Sequence, residues 1–359
     1  MSEAFAFGHA PDWRRCVAAL GRPGRGLGFV YFTDSLVGQA NEILDALRGE
    51  TGVKEWIGTV GTGVIATGTE YQGETAMAAM VADFDSFSVF SGRAPLKGGG
   101  SFAVVHGDPK APDLPGLVSD MSGKLARLGA REAARTAGYI VGGISSSRSR
   151  TVQIANEVLS GGLSGAVLGS DVAVATRLTQ GCSPLPRRGS SESAGRFRVT
   201  ACEDNIIAKL DGRPALEVLL ETAGGENAEL LVGLPVPGSD TGDYTARNLV
   251  GVDRKNGLIA IGDTVEPGME ILICRRDAAA ARKDLESILI SLKQAAPRPR
   301  GALYYSCVAR GEHMFGSRGA ELGLVKRALG EVPLVGFFCN GEISRDRLYG
   351  YTGVLTVFK

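Results

Sequence analysis

Three times along this chain a strand-like apolar run leads into an amphipathic helical stretch, and then into a second apolar run that ends in glycine or serine. The first copy opens with Gly28–Thr33. Leu36, Ala40, Ile43, Leu44 and Leu47 then share one helical face between Ser35 and Arg48. A strand ending in glycines, Trp56 to Gly63, and another over Ala76–Ala82 complete the copy. The second copy has strand Ser101–His106, a helix with Leu117, Met121, Leu125 and Leu128 on one face, and a strand running from Tyr139 into Ser145-Ser146-Ser147. The third has strand Ala302–Cys307, helix Ala320–Leu329, a glycine-rich loop Gly336–Ile343 and a closing strand Tyr351–Phe358. A repeated supersecondary unit predicts pseudo-symmetric packing, with the loop after each second strand facing a common region.

Further strands without helices fall at Gln153–Leu159, Gly165–Leu168, Val172–Thr179, Phe197–Ala201, Glu229–Leu234, Gly257–Gly262 and Met269–Arg275. A helix with Leu285, Ile288, Leu289 and Leu292 on one face follows, with Asp277 placed to cap it. The pattern predicts an α/β fold with an α+β tendency: mixed, largely antiparallel sheets with helices on their outer faces, built from pseudo-repeated β-α-β-loop-β units. Pro184–Gly195, rich in Pro, Arg, Ser and Gly, is expected to be a mobile surface loop.

Lys+Arg and Asp+Glu balance at 39 each, which argues against a nucleic-acid surface. No apolar run is long enough to span a bilayer, so no membrane partner is expected. The N-terminus carries Glu3 and lacks a basic segment before an apolar core, unlike a secretory signal. Six scattered cysteines with no CxxC pair predict reduced thiols in the cytoplasm, with neither a disulfide framework nor structural zinc. With only three histidines, no His-based metal centre is expected, and no cofactor motif survives inspection. Gly61-Thr-Gly63-Val-Ile-Ala66 matches the dinucleotide pattern GxGxxA. Thr67-Gly68-Thr69 follows it, however, and reads as a turn into another strand rather than a helix.

Three motifs then stand out in order. Gly181-Cys182-Ser183-Pro184 precedes Leu210-Asp211-Gly212-Arg213-Pro214-Ala215-Leu216-Glu217, where Pro214 reads as a helix start. Ser306-Cys307-Val-Ala-Arg310-Gly311 runs to Phe315-Gly316. Gly336-Phe-Phe-Cys339-Asn340-Gly341-Glu342-Ile343 is followed by Gly350-Tyr351-Thr352. Together these resemble the FIST family over residues 27 to 358. The resemblance implies an N-terminal FIST domain over 27–215 and a C-terminal one over 216–358. It also implies a sensory module inside the cell that binds a small ligand, with amino acids suggested. The chain departs from the family pattern in a longer segment after Cys182 and a shortened one after Glu342. No further signalling domain is expected in the residues that remain.

The ligand-binding residues expected from these motifs are Arg310, Glu312, His313, Gly336, Cys339, Asn340 and Glu342, joined by Gly61, Thr62, Ser145, Ser146 and Cys182. A zwitterionic amino acid needs a cationic donor and an anionic acceptor, which Arg310 and Glu342 would supply. Equally, the two would pair with each other and pin the loops. A Cys–His hydrolase using Cys339 or Cys307 with His313, or a serine hydrolase at Ser145–Ser147, is the competing class. A pure interaction scaffold is the third. No catalytic residue is assigned, and the downstream signalling partner is left unnamed.

Overall fold

The computed structural model describes residues 5–92, 100, 102–129, 138–187, 195–225, 229–237 and 243–359. The Pro184–Gly195 loop expected to be mobile lies partly outside these residues, which omit 188–194. The chain forms two compact units. One comprises Met1–Thr179 and Arg282–Lys359, the other Gln180–Ala281.

The first unit is a threefold repeat. Repeat one contains β1 (Ala6–Ala10), α1 (Trp13–Ala19), β2 (Leu27–Thr33), a 3₁₀ turn and α2 (Ala40–Thr51), β3 (Glu55–Gly61), β4 (Gly63–Ala66), β5 (Thr69–Gln72) and β6 (Met77–Ala82). Repeat two contains β7 (Phe87–Phe90), β8 (Phe102–Gly107), α3 (Leu114–Gly129), β9 (Tyr139–Ile144), β10 (Gln153–Ala155), β11 (Val158–Leu159) and β12 (Leu163–Leu168). Repeat three opens with β13 (Val174–Gln180). The second unit then interrupts it in the chain with β14 (Cys182–Pro184), β15 (Arg196–Glu203), β16 (Ile206–Leu210), β17 (Arg213–Pro214), α4 (Ala215–Ala223), β18 (Leu230–Pro235), β19 (Tyr244–Asp253), β20 (Leu258–Ile261), β21 (Glu270–Arg276) and the start of α5 (Ala278–Ala295). The repeat resumes with β22 (Gly301–Cys307), α6 (Glu312–Phe315), α7 (Ala320–Leu329), β23 (Leu334–Cys339), β24 (Glu342–Ser344), β25 (Arg347–Tyr349) and β26 (Thr352–Phe358).

In each repeat a helix links two strands that pair in parallel: β2 with β3, β8 with β9, and β22 with β23. Parallel neighbours need such a crossover. Each six-stranded sheet is completed by strand exchange. The strand after β3 (β4) pairs with β23, the strand after β23 (β24) with β9, and the strand after β9 (β10) with β3. The exchange is cyclic, so the second strands of all three repeats deliver their chain ends to one place.

Glycine makes the parallel pairs possible. A Cβ at Gly58 would lie 1.7 Å from the Val30 carbonyl oxygen, at Gly142 1.8 Å from that of Val105, and at Gly336 1.7 Å from that of Tyr304. The three glycines face those same residues across the ladder and mark equivalent positions. Gly336 is therefore a strand residue, and the expected loop Gly336–Ile343 shrinks to Asn340-Gly341 between β23 and β24.

A central apolar core from all three sheets contains Phe29, Tyr31, Val104, Val141, Tyr305 and Phe337. Outer cores lie under α1 and α2 (Trp13, Ile43, Leu47, Trp56) and under α3 (Leu114, Val118, Met121, Leu125). On α3 the buried face is thus turned from the expected one: Leu117 is exposed, and Val118 takes its place against the sheet. The second unit packs α4 on its own sheet through Leu216, Leu219, Val199, Ile207, Val232 and Ile273. Asp277 caps α5 as its sequence position suggests, its Oδ1 accepting from the Ala280 N–H at 2.9 Å.

Candidate functional site

The equivalent residues after the three pairing contacts, Tyr31, His106 and Tyr305, meet in the central core. The Tyr31 hydroxyl lies 2.8 Å from that of Tyr305 and 3.1 Å from His106 Nε2, and Phe337 stacks on the Tyr31 ring at 5.3 Å. Burial pushes the His106 imidazole down to about 3 and raises both tyrosine hydroxyls, so all three stay neutral.

Above this triangle come the loop residues that follow β3, β9 and β23. Counting from the marker glycines, Gly61, Ser145 and Cys339 are equivalent, as are Thr62, Ser146 and Asn340. Ser146 joins all three repeats: its Oγ accepts from the Thr62 N–H at 2.9 Å and donates to the Phe338 carbonyl at 2.5 Å. The Asn340 N–H reaches the Ile144 carbonyl at 3.1 Å, and the Ile144 N–H reaches the Gly341 carbonyl at 2.9 Å. Ser145 Oγ lies 2.6 Å from Thr59 Oγ1 and 3.0 Å from the Gly107 carbonyl. Both serine hydroxyls are thus fully buried and committed to stitching the loops.

The repeats differ in what they put beside this junction. On the exchanged strands Val64, Gln153 and Glu342 occupy equivalent register positions, each opposite the residue that follows a marker glycine. Only in the third repeat is that residue ionisable. Glu342 Oε1 accepts from the Cys339 thiol at 3.1 Å. Its Oε2 accepts from the Thr352 hydroxyl at 2.6 Å and the Thr352 N–H at 3.1 Å. Complete burial lifts its carboxyl to about 7, against the lowering effect of those bonds and of the Arg310 charge. Tyr351, next to Thr352, holds φ at 62°, a region that non-glycine residues seldom adopt and that is concentrated at functional sites.

Cys307 and Cys339 are register partners at the ends of β22 and β23. Burial raises both thiols, Cys307 to about 12, with the Glu342 charge as the next cause. The Cys339 Sγ lies 3.1 Å from Glu342 Oε1 and 3.4 Å from the Ser306 carbonyl oxygen, so its single S–H proton has an acceptor, and burial beside a carboxylate disfavours the thiolate a nucleophile needs. Glu312 and His313 sit exposed on α6, and no hydrogen bond joins His313 to either thiol among the described residues. Asn340 is likewise exposed at the strand end.

Of the two roles weighed for Arg310 and Glu342, the mutual pairing is not formed: Arg310 pairs with Glu321 instead. Arg310 Nε and Nη2 both donate to Glu321 Oε1, at 2.9 and 2.7 Å, with both side chains fully buried. Glu321 lies in the first turn of α7 and collects further donors: the Tyr304 hydroxyl at 2.5 Å, and the Ser306 hydroxyl and Gly311 N–H, each at 3.2 Å. The reason is local. Gly311, at φ 61°, turns the chain from β22 into α6 and brings Arg310 under the start of α7. A Cβ there would lie 2.9 Å from Gln72 Nε2. Arg310 Nη1 has no hydrogen-bond partner, although the residue is completely buried. Phe315 places its ring 5.2 Å from the guanidinium.

Cys182 belongs to the second unit, where β14 pairs with β21 and the Tyr244 hydroxyl donates to the Cys182 carbonyl at 2.7 Å. Among the described residues no group of three His, Cys, Asp or Glu side chains is arranged to hold a metal ion.

The FIST N domain model matches residues 26–213 and the FIST C domain model residues 215–345. The chain belongs to the FIST family. FIST domains are sensory domains of signal transduction. The boundary between the two matches falls between β17 and α4, inside the second compact unit. The uncharacterized protein Rv0628c of Mycobacterium tuberculosis (strain ATCC 25618 / H37Rv) is 30% identical over 389 residues, covering 97% of each chain. The uncharacterized protein Mb0898c of Mycobacterium bovis is 32% identical over 203 residues, covering 50% of this chain and 49% of its own. No helix among the described residues is long and apolar enough to cross a membrane.

Proposed function

We infer that this FIST protein senses a small polar molecule, best matched by a free amino acid, at the strand ends of its third repeat. The observation that carries this reading is the asymmetry among the repeats. A fold built three times over needs nothing ionisable at the exchanged-strand position, since Val64 and Gln153 fill it elsewhere. Burying charge is costly unless it is paired and hydrogen-bonded. The third repeat nevertheless places Glu342 there, buries Arg310 and Glu321 between β22 and α7, and leaves one guanidinium arm unpartnered.

An α-carboxylate would bond that free Nη1, and an α-ammonium would bond Glu342. In this reading the ligand enters beside Cys307, where Val308, Ala309 and Tyr351 are half-buried. Entry requires the Val308–Gly311 turn to move, and that movement is the population shift a partner protein would read. Six unbridged cysteines support a reducing, cytoplasmic setting. Balanced charge supports neither a nucleic-acid nor a membrane partner.

A thermal-shift screen over the free amino acids tests this reading. A ligand at about 100 times its dissociation constant adds roughly 2.7 kcal/mol, and Glu342→Gln should lose that gain. No shift with any amino acid, or an equal shift in Glu342→Gln, would remove the reading.

A further inference from the structure

On the surface of the first unit, α5 and α7 leave a groove of about 620 Å³. Leu289, Leu324 and Ala328 line it with Ile290, whose exposure of 62% is high for an aliphatic side chain. The sequence of α5 explains the exposure. Leu285, Ile288, Leu289 and Leu292 take the inward face, while Glu286, Ile290, Lys293 and Gln294 recur at helical spacing on the outward one. A single exposed isoleucine needs no explanation. This one is the centre of an ordered stripe. Glu286 stands one turn before it, and Lys293 and Gln294 one turn after it. Arg327 adds a second cation from across the groove. Glu286, Lys293 and Arg327 form no salt bridge among the described residues.

We propose that this face is a two-fold interface whose occupant is a second copy of the same chain. Charge placement selects that occupant. A two-fold axis passing beside Ile290 and perpendicular to α5 lays one α5 antiparallel on another. Residues about 5 Å to either side of the axis, midway between Glu286 and Lys293, then exchange places. Glu286 of each copy meets Lys293 of the other, with Arg327 in reach, and the interaction forms twice. Ile290 of each copy enters the apolar groove of its mate. Such a surface is self-complementary, as an isologous contact must be. A groove evolved for an unrelated helix carries no requirement for opposite charges at matched spacing around one apolar centre. The same α7 that lines the groove carries Glu321, the partner of Arg310, so the contact lies on the helix that anchors the ion pair.

Sedimentation velocity on the full chain, up to about 100 µM, tests the proposal. The wild-type chain is expected to dimerise. Ile290→Glu should weaken association by about tenfold or more, with the circular-dichroism melt unchanged at low concentration. Glu286→Lys and Lys293→Glu should each be monomeric alone, because each sets like charges against each other. An equimolar mixture of the two should recover a dimer, since each then supplies the charge the other lacks. A monomeric wild-type chain overturns the proposal. So does an Ile290→Glu chain that still dimerises, or a mixture that stays monomeric.

Discussion

Replacing Arg310 with methionine should destabilise this protein strongly, and the amount follows from its surroundings. The substitution keeps much of the side chain's length but deletes two charge-assisted bonds to Glu321 Oε1. Such bonds are worth about 1.5–3 kcal/mol each. The stranded Glu321 carboxyl keeps the Tyr304 and Ser306 hydroxyls and the Gly311 N–H, which offset part of the loss. Breaking one side of a buried pair costs about 3–5 kcal/mol, and the three surviving donors place the expected loss near the lower end. At about 2–4 °C per kcal/mol for a unit of this size, the melting temperature should fall by about 10 °C. Glu321→Gln should also destabilise, by stranding the guanidinium. Arg310→Met/Glu321→Gln should recover a substantial part, because neither charge is then left alone. Urea or thermal melts followed by circular dichroism read all three. An Arg310→Met loss below about 1 kcal/mol, the range of exposed pairs, would refute the buried-pair argument, as would losses that simply add in the double variant.

Two further outcomes follow from the same site. Iodoacetamide under native conditions should label Cys202, the one partly exposed thiol, well before Cys339 or Cys307; mass spectrometry showing Cys339 modified first would restore a thiol nucleophile. Glu342 holds its proton more tightly folded, at about 7, than at its ordinary 4.5. The resulting stabilisation is complete below pH about 4.5 and is lost as pH rises through about 7, a swing on the order of 3 kcal/mol. Denaturant melts of Glu342→Gln should therefore fall less steeply between pH 5 and 8 than those of the wild-type chain; parallel curves would contradict the raised carboxyl.

Much of the fold was legible because its signals are local. Periodic apolar residues located α2 and the inward face of α5, and glycines located the ends of β3, β9 and β23. The convergence of Thr62, Ser146 and Asn340 followed from the repeat. Strand exchange was not legible, because pairing β4 with β23 joins residues far apart in sequence and no local period encodes it. β1, α1 and β19 passed unread, and the exchanged strand β24 was read as part of a loop, whereas β10 was expected as a strand. Glu321 was hidden for a different reason. An acidic residue in the first turn of a helix reads as an ordinary complement to the helix dipole, and nothing nearby marks it as the partner of an arginine eleven positions earlier. Tyr31, His106 and Tyr305 sat inside apolar strand runs, where their polar atoms gave no spacing to detect.

The central claim is that the third repeat's strand ends receive the ligand. Hydrogen–deuterium exchange with mass spectrometry, run on the wild-type chain with and without a stabilising amino acid, tests it most directly. Added protection should be confined to the peptides covering Val308–Phe315 and Asn340–Thr352. The equivalent turns after β3 and β9 should change little. Protection concentrated in Gln180–Ala281, or spread equally over the three repeats, would contradict the account.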